Sequence, residues 1–359
     1  MSLPVLPGII AKTIATERIT TRVLFAGPAD GRPVLFLHGN LSSATWWEEV
    51  MLTLPAGFRG IAPDQRGFGQ ADPQQKIDAT RGLGDWADDA AALLDQLNLA
   101  QAHVVGSSAG GSAVWQLMID YPDRFLSATV VDPGSPYGFG GTRDVSGTPC
   151  YSDFAGSGGG LVNSRLVQRL AAGDRSVDTP FSPRMVMRSL LFKPPFIPER
   201  EDALLTAMLS LHLGEQDYPG DSVPSPNWPY VAPGRWGLAN ALSPKYAPNV
   251  AKLYASQPKP DLLWIHGRDD LMVSNHAAAD PATVGQAGLL PNWPGVELYP
   301  PQPMVDQTRA VLEKYAAAGG RYREVVIEDA GHMPYIEKPA QFNAVFHDHI
   351  ATTSSPQGK

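Results

Sequence analysis

The stretch Gly106-Ser107-Ser108-Ala109-Gly110 constrains the fold more than any other part of this sequence, because it joins two segments with different predicted structures. The apolar, β-branched run from Ala102 to Val105 indicates a strand, and the stretch from Ala113 to Tyr121 is typical of a helix. A strand and a helix can pass this closely only where the turn lacks Cβ atoms. The motif therefore predicts a tight, strained turn that projects Ser108, whereas Ser107 should point elsewhere.

A serine held on such a turn has two features of a catalytic nucleophile. Its hydroxyl projects beyond the end of the sheet, where a substrate can reach it. The helix that follows presents unpaired N–H groups and the positive end of its dipole, which stabilise a developing negative charge. We therefore expect Ser108 to act as a nucleophile.

Apolar runs alternate with helical segments through the first 133 residues. The run from Pro33 to Leu37 is apolar throughout, which is typical of a parallel strand covered on both faces. We therefore predict an α/β fold with a mostly parallel, doubly wound sheet. Such sheets bind ligands outside the carboxyl ends of their strands, so the residues that follow the strands should converge at one edge. These residues are Gly39, Asp64, Ser108, Asp132 and Asp270.

The regular alternation stops after Asp132 and resumes at Asp261. Between them, residues 134–250 contain helical pieces and loops rich in proline, glycine and aromatic residues, which indicates a mostly helical or irregular lid (cap) inserted after the sixth strand. We predict a core domain formed by residues 1–133 and 251–359. A second, loop-like insertion should lie within it at residues 273–303.

Charge and cysteine content limit the partners of the chain. A formal net charge of −8 disfavours nucleic acid and anionic membrane surfaces. Cys150 is the single cysteine, so no intrachain disulfide can form. The stretch from Met1 to Ile10 lacks the basic region of a signal peptide. We expect a cytoplasmic monomer or homodimer, not associated with membranes, that acts on a small molecule.

The histidines show no metal-ligand spacing, and the chain contains no phosphate-binding loop. We therefore expect neither a metal nor a cofactor.

Several motifs, taken together and in order, resemble those of the α/β-hydrolase superfamily. They are His38-Gly39-Asn40, Asp64-Gln65-Arg66-Gly67-Phe68-Gly69, Gly106-Ser107-Ser108-Ala109-Gly110, Gly267-Arg268-Asp269-Asp270 and Gly331-His332. The resemblance covers roughly residues 20–133 and 260–350, and it implies the α/β-hydrolase fold with the order nucleophile, acid, histidine.

The resemblance also implies roles for individual residues. Ser108 matches the nucleophile, His332 the general base and acid, and Asp270 the acid that orients the histidine. Asp132, after the sixth strand, matches an arrangement found in some relatives of this fold and is the alternative acid.

An oxyanion hole is implied as well. Its donors should be the backbone N–H groups of Ala109 and Asn40, with Leu41 as the second choice in place of Asn40. His38 should serve as a hydrogen-bonding residue beneath the site.

A serine at this turn favours hydrolysis of a carboxylic ester or lactone through an acyl-enzyme. The aromatic and proline-rich residues of the expected lid favour a largely apolar substrate. Two alternatives stay open. One is a carbon–carbon bond hydrolase of the ring-cleavage-product type, and the other is a ligand-binding receptor or scaffold with little turnover.

Overall fold

The computed structural model describes residues 3–353, in which strands alternate with helices. In chain order the strands are β1 (Ile10–Ala15), β2 (Thr20–Ala26), β3 (Arg32–Leu37), β4 (Phe58–Pro63), β5 (Ala102–Ser107), β6 (Phe125–Val131), β7 (Leu213–Gly214), β8 (Tyr218–Pro219), β9 (Ser222–Pro224), β10 (Val231–Pro233), β11 (Leu262–Gly267) and β12 (Tyr322–Ile327). The α-helices are α1 (Glu48–Leu52), α2 (Gly84–Gln96), α3 (Ala109–Asp120), α4 (Ser164–Ala171), α5 (Pro183–Val186), α6 (Glu201–Met208), α7 (Leu238–Ala241), α8 (Val250–Ala255), α9 (Pro281–Gln286), α10 (Met304–Ala317), α11 (Pro334–Glu337) and α12 (Pro339–Thr353).

Eight strands form one sheet in the order β1-β2-β4-β3-β5-β6-β11-β12. The pairs β1–β2 and β2–β4 are antiparallel, and every later pair is parallel. Strands β5 and β11 are buried at every residue, as expected for strands covered on both faces. The predicted α/β fold with a mostly parallel sheet is confirmed.

Aromatic side chains fill the space between the sheet and the helices on one of its faces. Phe36 of β3 lies 5.2 Å from the ring of Trp47 and 6.1 Å from the ring of Phe346 on α12. All three side chains are buried. Each contributes about 1.5–3 kcal/mol through burial, which holds the central strands in a fixed position beneath the site.

The pairing register brings the carboxyl ends of the central strands to the same level. Leu37 of β3 lies opposite Gly106 of β5, which in turn lies opposite Val130 of β6. Val131 of β6 lies opposite Ile265 of β11. The residues that follow these four strands therefore meet at one edge of the sheet, as the sequence predicts.

Residues 134–250 contain short helices and two small two-stranded sheets, β7–β8 and β9–β10. The sequence analysis, which predicts a mostly helical or irregular segment, did not identify these strands. Each has only two or three residues, and β8, β9 and β10 all end in proline, so no alternating pattern marks them in the sequence.

Residues 273–303 pack against residues 134–250. Trp228 donates from Nε1 to the Pro291 carbonyl over 2.8 Å, and its ring lies 4.8 Å from that of Tyr299. The Tyr299 hydroxyl donates to the Gly156 carbonyl over 2.9 Å. This segment also contains α9, a six-residue helix, and is therefore not wholly loop-like as expected. The two insertions share a small aromatic core of their own.

None of the helices in residues 3–353 has both the length and the apolar character that crossing a bilayer requires.

Candidate active site

Ser108 occupies the turn between β5 and α3 with φ 55° and ψ −121°, a conformation that is unfavourable for a residue with a side chain. Its N–H donates to the Val131 carbonyl over 2.9 Å, and its carbonyl accepts from the Ser112 N–H over 3.0 Å. A Cβ on Gly106 would collide with the backbone of Gly110. The two glycines thus permit the close strand–helix passage that holds Ser108 in its strained position.

Ser107 points away from this turn, as its place in the motif predicts. Its side chain is buried and its Oγ donates to the Met333 Sδ over 3.8 Å. Met333 directly follows His332, so the loop that carries the histidine lies against the residue beside Ser108.

His332 and Asp270 form a buried hydrogen-bonded pair. His332 Nδ1 lies 2.8 Å from Asp270 Oδ2, and the two side chains are 1% and 2% exposed. Asp270 Oδ1 accepts from the N–H groups of Met272, over 2.6 Å, and Val273, over 3.1 Å. Because the Asp270 carboxylate accepts a hydrogen bond from the Nδ1–H of His332, the lone pair of the neutral ring is on Nε2. A general base needs this arrangement.

Asp132 lies beside this pair and does not replace Asp270 in it. Its Oδ1 accepts from the Gly267 N–H over 2.9 Å, whereas its Oδ2 receives no hydrogen-bond donor from residues 3–353. Oxygen atoms of Asp132 and Asp270 and a ring nitrogen of His332 all lie within 4.8 Å of one another. Burial and the nearby Asp270 carboxyl raise the pKa of Asp132 well above its usual value.

Asp269, which precedes Asp270, has a different environment. Its side chain is 40% exposed and pairs with Lys193 over 2.8 Å. It is therefore a surface residue, which makes it a natural control for substitutions at Asp270.

The loop after β3 lies directly against Ser108. A Cβ built on Gly39 would lie 2.8 Å from the Ser108 Cβ and 3.4 Å from its Oγ, so this approach requires glycine. The Leu41 N–H donates to Asn40 Oδ1 over 2.9 Å. Within residues 3–353 the Asn40 N–H donates to no protein acceptor, and neither does that of Ala109, the first residue of α3. The backbone N–H groups of Asn40 and Ala109 are thus available as donors, whereas the Leu41 N–H already donates to Asn40 Oδ1.

His38 supports this loop from below. It is buried, its Nε2 accepts from the Gln65 N–H over 2.9 Å, and its Nδ1 lies 2.8 Å from the Gly39 carbonyl. Burial lowers the pKa of His38 to about 4, so the ring is neutral at pH 7. The expectation of a hydrogen-bonding residue beneath the site is confirmed.

Sequence reasoning missed Glu337, which organises the histidine loop. The buried Glu337 carboxylate accepts from the N–H groups of Gly331, over 3.0 Å, and Met333, over 3.3 Å. It also accepts from the Lys193 N–H over 2.8 Å. An acidic residue five positions after His332 carries no recognisable signal, because its partners become neighbours only in the folded chain.

Sequence reasoning also missed Arg22, the partner of Asp64. Arg22 Nε donates to Asp64 Oδ2 over 2.8 Å from strand β2, and both side chains are buried. The other charged residue of the same turn, Arg66, donates to Asp89 of α2 over 2.7 Å. These long-range pairs fix the turn after β4 at the edge of the sheet.

Residues 134–250 contact the segment that follows β3. Trp46 stacks on Phe192 with ring centroids 5.9 Å apart, and its Nε1 donates to the Leu204 carbonyl over 3.2 Å. Tyr218 is buried, and its hydroxyl interacts with the Asn40 side chain. The insertion therefore contacts the same loops that surround Ser108.

Three of the known proteins that match this chain have names that indicate different hydrolytic activities. The putative carbamate hydrolase RutD of Caulobacter vibrioides (strain NA1000 / CB15N) is 37% identical over 110 residues, 30% of this chain and 40% of that protein. The 2-hydroxymuconate semialdehyde hydrolase of Pseudomonas sp. (strain CF600) is 34% identical over 118 residues, 32% of this chain and 40% of that protein. The carboxylesterase YbfK of Bacillus subtilis (strain 168) is 27% identical over 125 residues, 34% of this chain and 41% of that protein.

These matches thus span about 40% of the length of the first relatives. Over the whole fold, the crystal structure of carboxylesterase CesB (YbfK) from Bacillus subtilis superposes with a TM-score of 0.59 at 15% identity, covering 98% of this chain and 93% of that chain. The sequence pattern of the family described as alpha/beta hydrolase fold matches residues 32–287. Because that match spans most of the chain and the sheet has the corresponding architecture, the chain belongs to the alpha/beta hydrolase superfamily.

Proposed function

We propose that this protein is a serine hydrolase that cleaves a carboxylic ester or lactone of a largely apolar small molecule through an acyl-enzyme. The observation that carries the proposal is the buried 2.8 Å hydrogen bond between His332 and Asp270, at the sheet edge where Ser108 occupies a strained turn. Burying an ionisable pair is costly, and its chemical use is to hold an imidazole in the tautomer of a general base.

In this proposal Ser108 Oγ attacks the carbonyl carbon of the substrate while His332 Nε2 takes the hydroxyl proton. The carbonyl oxygen becomes an oxyanion and accepts from the N–H groups of Asn40 and Ala109, each of which contributes about 3 kcal/mol. When the intermediate collapses, His332 returns the proton to the leaving alcohol and the acyl group stays on Ser108. Water then attacks, His332 takes its proton, and release of the acid returns that proton to Ser108.

Residues 134–250 act as the lid in this proposal. The stacking of Phe192 on Trp46, in the segment that follows β3, supports this assignment. Apolar walls exclude water from the acyl-enzyme and favour an apolar acyl or alcohol group.

A second candidate is hydrolysis of a carbon–carbon bond next to a carbonyl group. It is supported by the 34% identity over 118 residues to a 2-hydroxymuconate semialdehyde hydrolase, because such a substrate is neither an ester nor a carbamate. The same serine, histidine and acid would then catalyse a hydrolysis in which the leaving group departs through a carbon atom.

Hydrolysis of a series of p-nitrophenyl esters, from acetate to decanoate, tests the proposal. Ser108→Ala is compared with Ser107→Ala, the neighbouring serine whose hydroxyl faces Met333. We expect sustained turnover in the wild type and in Ser107→Ala, loss in Ser108→Ala, and an acylated Ser108 peptide by mass spectrometry.

Acylation of Ser108 without turnover would contradict ester hydrolysis and favour a receptor. Inertness toward all esters, combined with cleavage of a vinylogous 1,5-diketone, would favour carbon–carbon hydrolysis.

A further inference from the structure

Two carboxyl groups lie together in the core of the site, and no lysine or arginine among residues 3–353 is bonded to either. Asp132 and Asp270 are both buried, and an oxygen atom of each lies within 4.8 Å of the other. Asp64, a third buried aspartate at the same sheet edge, instead has the Arg22 guanidinium as its partner. Two carboxylates this close and this deeply buried repel each other strongly, which favours a proton on one of them.

The hydrogen-bond donors around each group decide which one is protonated. Asp270 accepts from two backbone N–H groups and from His332, and three donors stabilise its charged form. Asp132 accepts from one backbone N–H, and its Oδ2 receives no donor from residues 3–353. An oxygen without a donor inside the protein is the natural place for a proton, because a protonated carboxyl oxygen is itself a donor.

We propose that Asp132 is protonated in the working enzyme and that its Oδ2–H donates a hydrogen bond to Asp270, as a positioning residue behind the serine, histidine and aspartate. This inference rests on the proposed function, since it assigns Asp132 a role relative to His332 and Asp270. The proton is shared within the pair, and the imidazole faces one negative charge instead of two.

The backbone of Asp132 makes asparagine a suitable test substitution at this position. Its φ is 41°, a left-handed conformation that costs free energy for a residue with a side chain, and its N–H donates to the Ile265 carbonyl over 2.9 Å. Asparagine tolerates this conformation as well as aspartate does. An asparagine amide would also accept from Gly267 through its oxygen and donate to Asp270 through its nitrogen, as the protonated acid does.

Four titratable groups face Asp132 from the neighbouring elements. Asp270 follows β11, and His332, Tyr335 and Glu337 follow β12. The negative charge of Asp270 and burial both raise the pKa of Asp132 well above its usual value, and Glu337 adds to this effect. As the pH rises through that pKa, Asp132 loses its proton and the pair carries two charges. The second charge repels the Asp270 carboxylate and disturbs the hydrogen bond that orients the His332 imidazole.

The first test is the infrared spectrum of the carboxyl groups at pH 7, which needs no substrate. Wild type minus Asp132→Asn should show the C=O stretch of one protonated carboxyl, whereas wild type minus Asp269→Asn should show only a carboxylate. Absence of the protonated band from the first difference spectrum would overturn the proposal, whatever the protein hydrolyses.

The second test is the pH profile of kcat/KM for the best ester. Asp132→Asn should stay within about threefold of the wild type at pH 7 and should lack the alkaline loss of activity that Asp132 ionisation causes in the wild type. If Asp132→Asn instead loses activity to the same extent as Asp270→Asn, Asp132 works as a charged acid and the inference is wrong.

The third test concerns a cation, because oxygen and nitrogen atoms of Asp132, Asp270 and His332 lie close enough to ligate one. We expect activity to survive dialysis against a chelator, and we expect added Zn²⁺ or Mn²⁺ to leave the infrared band in place. If the wild type binds one divalent ion per chain and Asp132→Asn binds none, the three residues form a metal site and the proposal of a protonated Asp132 is wrong.

Discussion

The buried ion pair between Arg22 and Asp64 gives a stability prediction that is independent of the substrate. Arg22 donates to both carboxylate oxygens, over 2.8 and 3.0 Å, and the side chains are 3% and 0% exposed. Asp64 also accepts from the N–H groups of Ala44, over 3.0 Å, and Gln70, over 2.8 Å. One carboxylate therefore connects β2 and β4 with the turns that flank the candidate site.

The substitution Asp64→Asn keeps the shape of the side chain and removes its charge. It leaves the Arg22 guanidinium buried without a counter-ion, and loss of one partner of a buried pair costs about 3–5 kcal/mol. The amide also has a single acceptor oxygen, so one of the two backbone N–H groups loses a bond worth about 1 kcal/mol. We expect the free energy of unfolding to fall by about 4 kcal/mol or more, a large share of the stability of a typical domain.

Urea denaturation of Asp64→Asn, Arg22→Met and the double variant measures this effect. The double variant should be more stable than the sum of the single losses predicts, by about 2 kcal/mol or more, because the stranded charge is gone. Arg18→Met is the matched control, since Arg18 is 28% exposed in its ion pair with Asp89 and should lose at most about 1 kcal/mol. The reasoning is refuted if the stability losses of the two single variants add up to the loss of the double variant. It is also refuted if Asp64→Asn loses no more stability than the control Arg18→Met.

Four further predictions concern the site and its surroundings. Asp270→Asn should lower kcat for the best ester about 10⁴-fold and His332→Ala should abolish turnover, both with unchanged circular dichroism. Asp269→Asn should behave as the wild type, and equal effects at positions 269 and 270 would argue against Asp270 as the acid that orients His332. Gly39→Ala should block fluorophosphonate labelling of Ser108, because its Cβ would lie 2.8 Å from the Ser108 Cβ. Gly84→Ala should label normally, because its Cβ would lie 3.4 Å from the Arg81 Cβ, an ordinary contact distance. Asp132→Asn should be more stable than the wild type at pH 7. Between about pH 3.9 and the raised pKa of Asp132, the folded wild type holds one proton more than the unfolded chain, so its free energy of unfolding falls by about 1.4 kcal/mol for each pH unit. If the unfolding free energy is the same at pH 4 and at pH 7 in the wild type as well as in the variant, this prediction is wrong. Cys150 is buried with its pKa raised to about 12, so it should react with a thiol reagent only after unfolding, and rapid labelling of the native protein would show that its environment differs.

Local signals account for the parts of the fold and site that the sequence predicts. The strained turn at Ser108 requires nearby glycines, and its strand and helix are contiguous in sequence, so a short window contains all the information. The contact between His332 and Asp270 spans 62 residues, and it was expected only because both follow strands of a recognised pattern. The catalytic roles of these residues remain predictions.

Long-range partners account for what the sequence did not predict. Arg22 and Asp64 are 42 residues apart, and Glu337 and Lys193 are 144 apart, with no periodicity that links them. The packing of Trp228 on Tyr299 likewise joins two insertions whose sequences each resemble simple loops. Such contacts follow from how the elements are arranged in space, and one sequence alone carries no record of that arrangement.

The Glu337 carboxylate joins the insertion after β6 to the loop that carries His332. It is bonded at once to the chain on either side of His332 and to the Lys193 N–H, which belongs to residues 134–250. Pulling Lys193 away would remove a bond from a buried acceptor and disturb the position of the imidazole. Residues 134–250 are therefore anchored to the histidine loop at Lys193, and any movement of this segment away from the loop would have to break that bond.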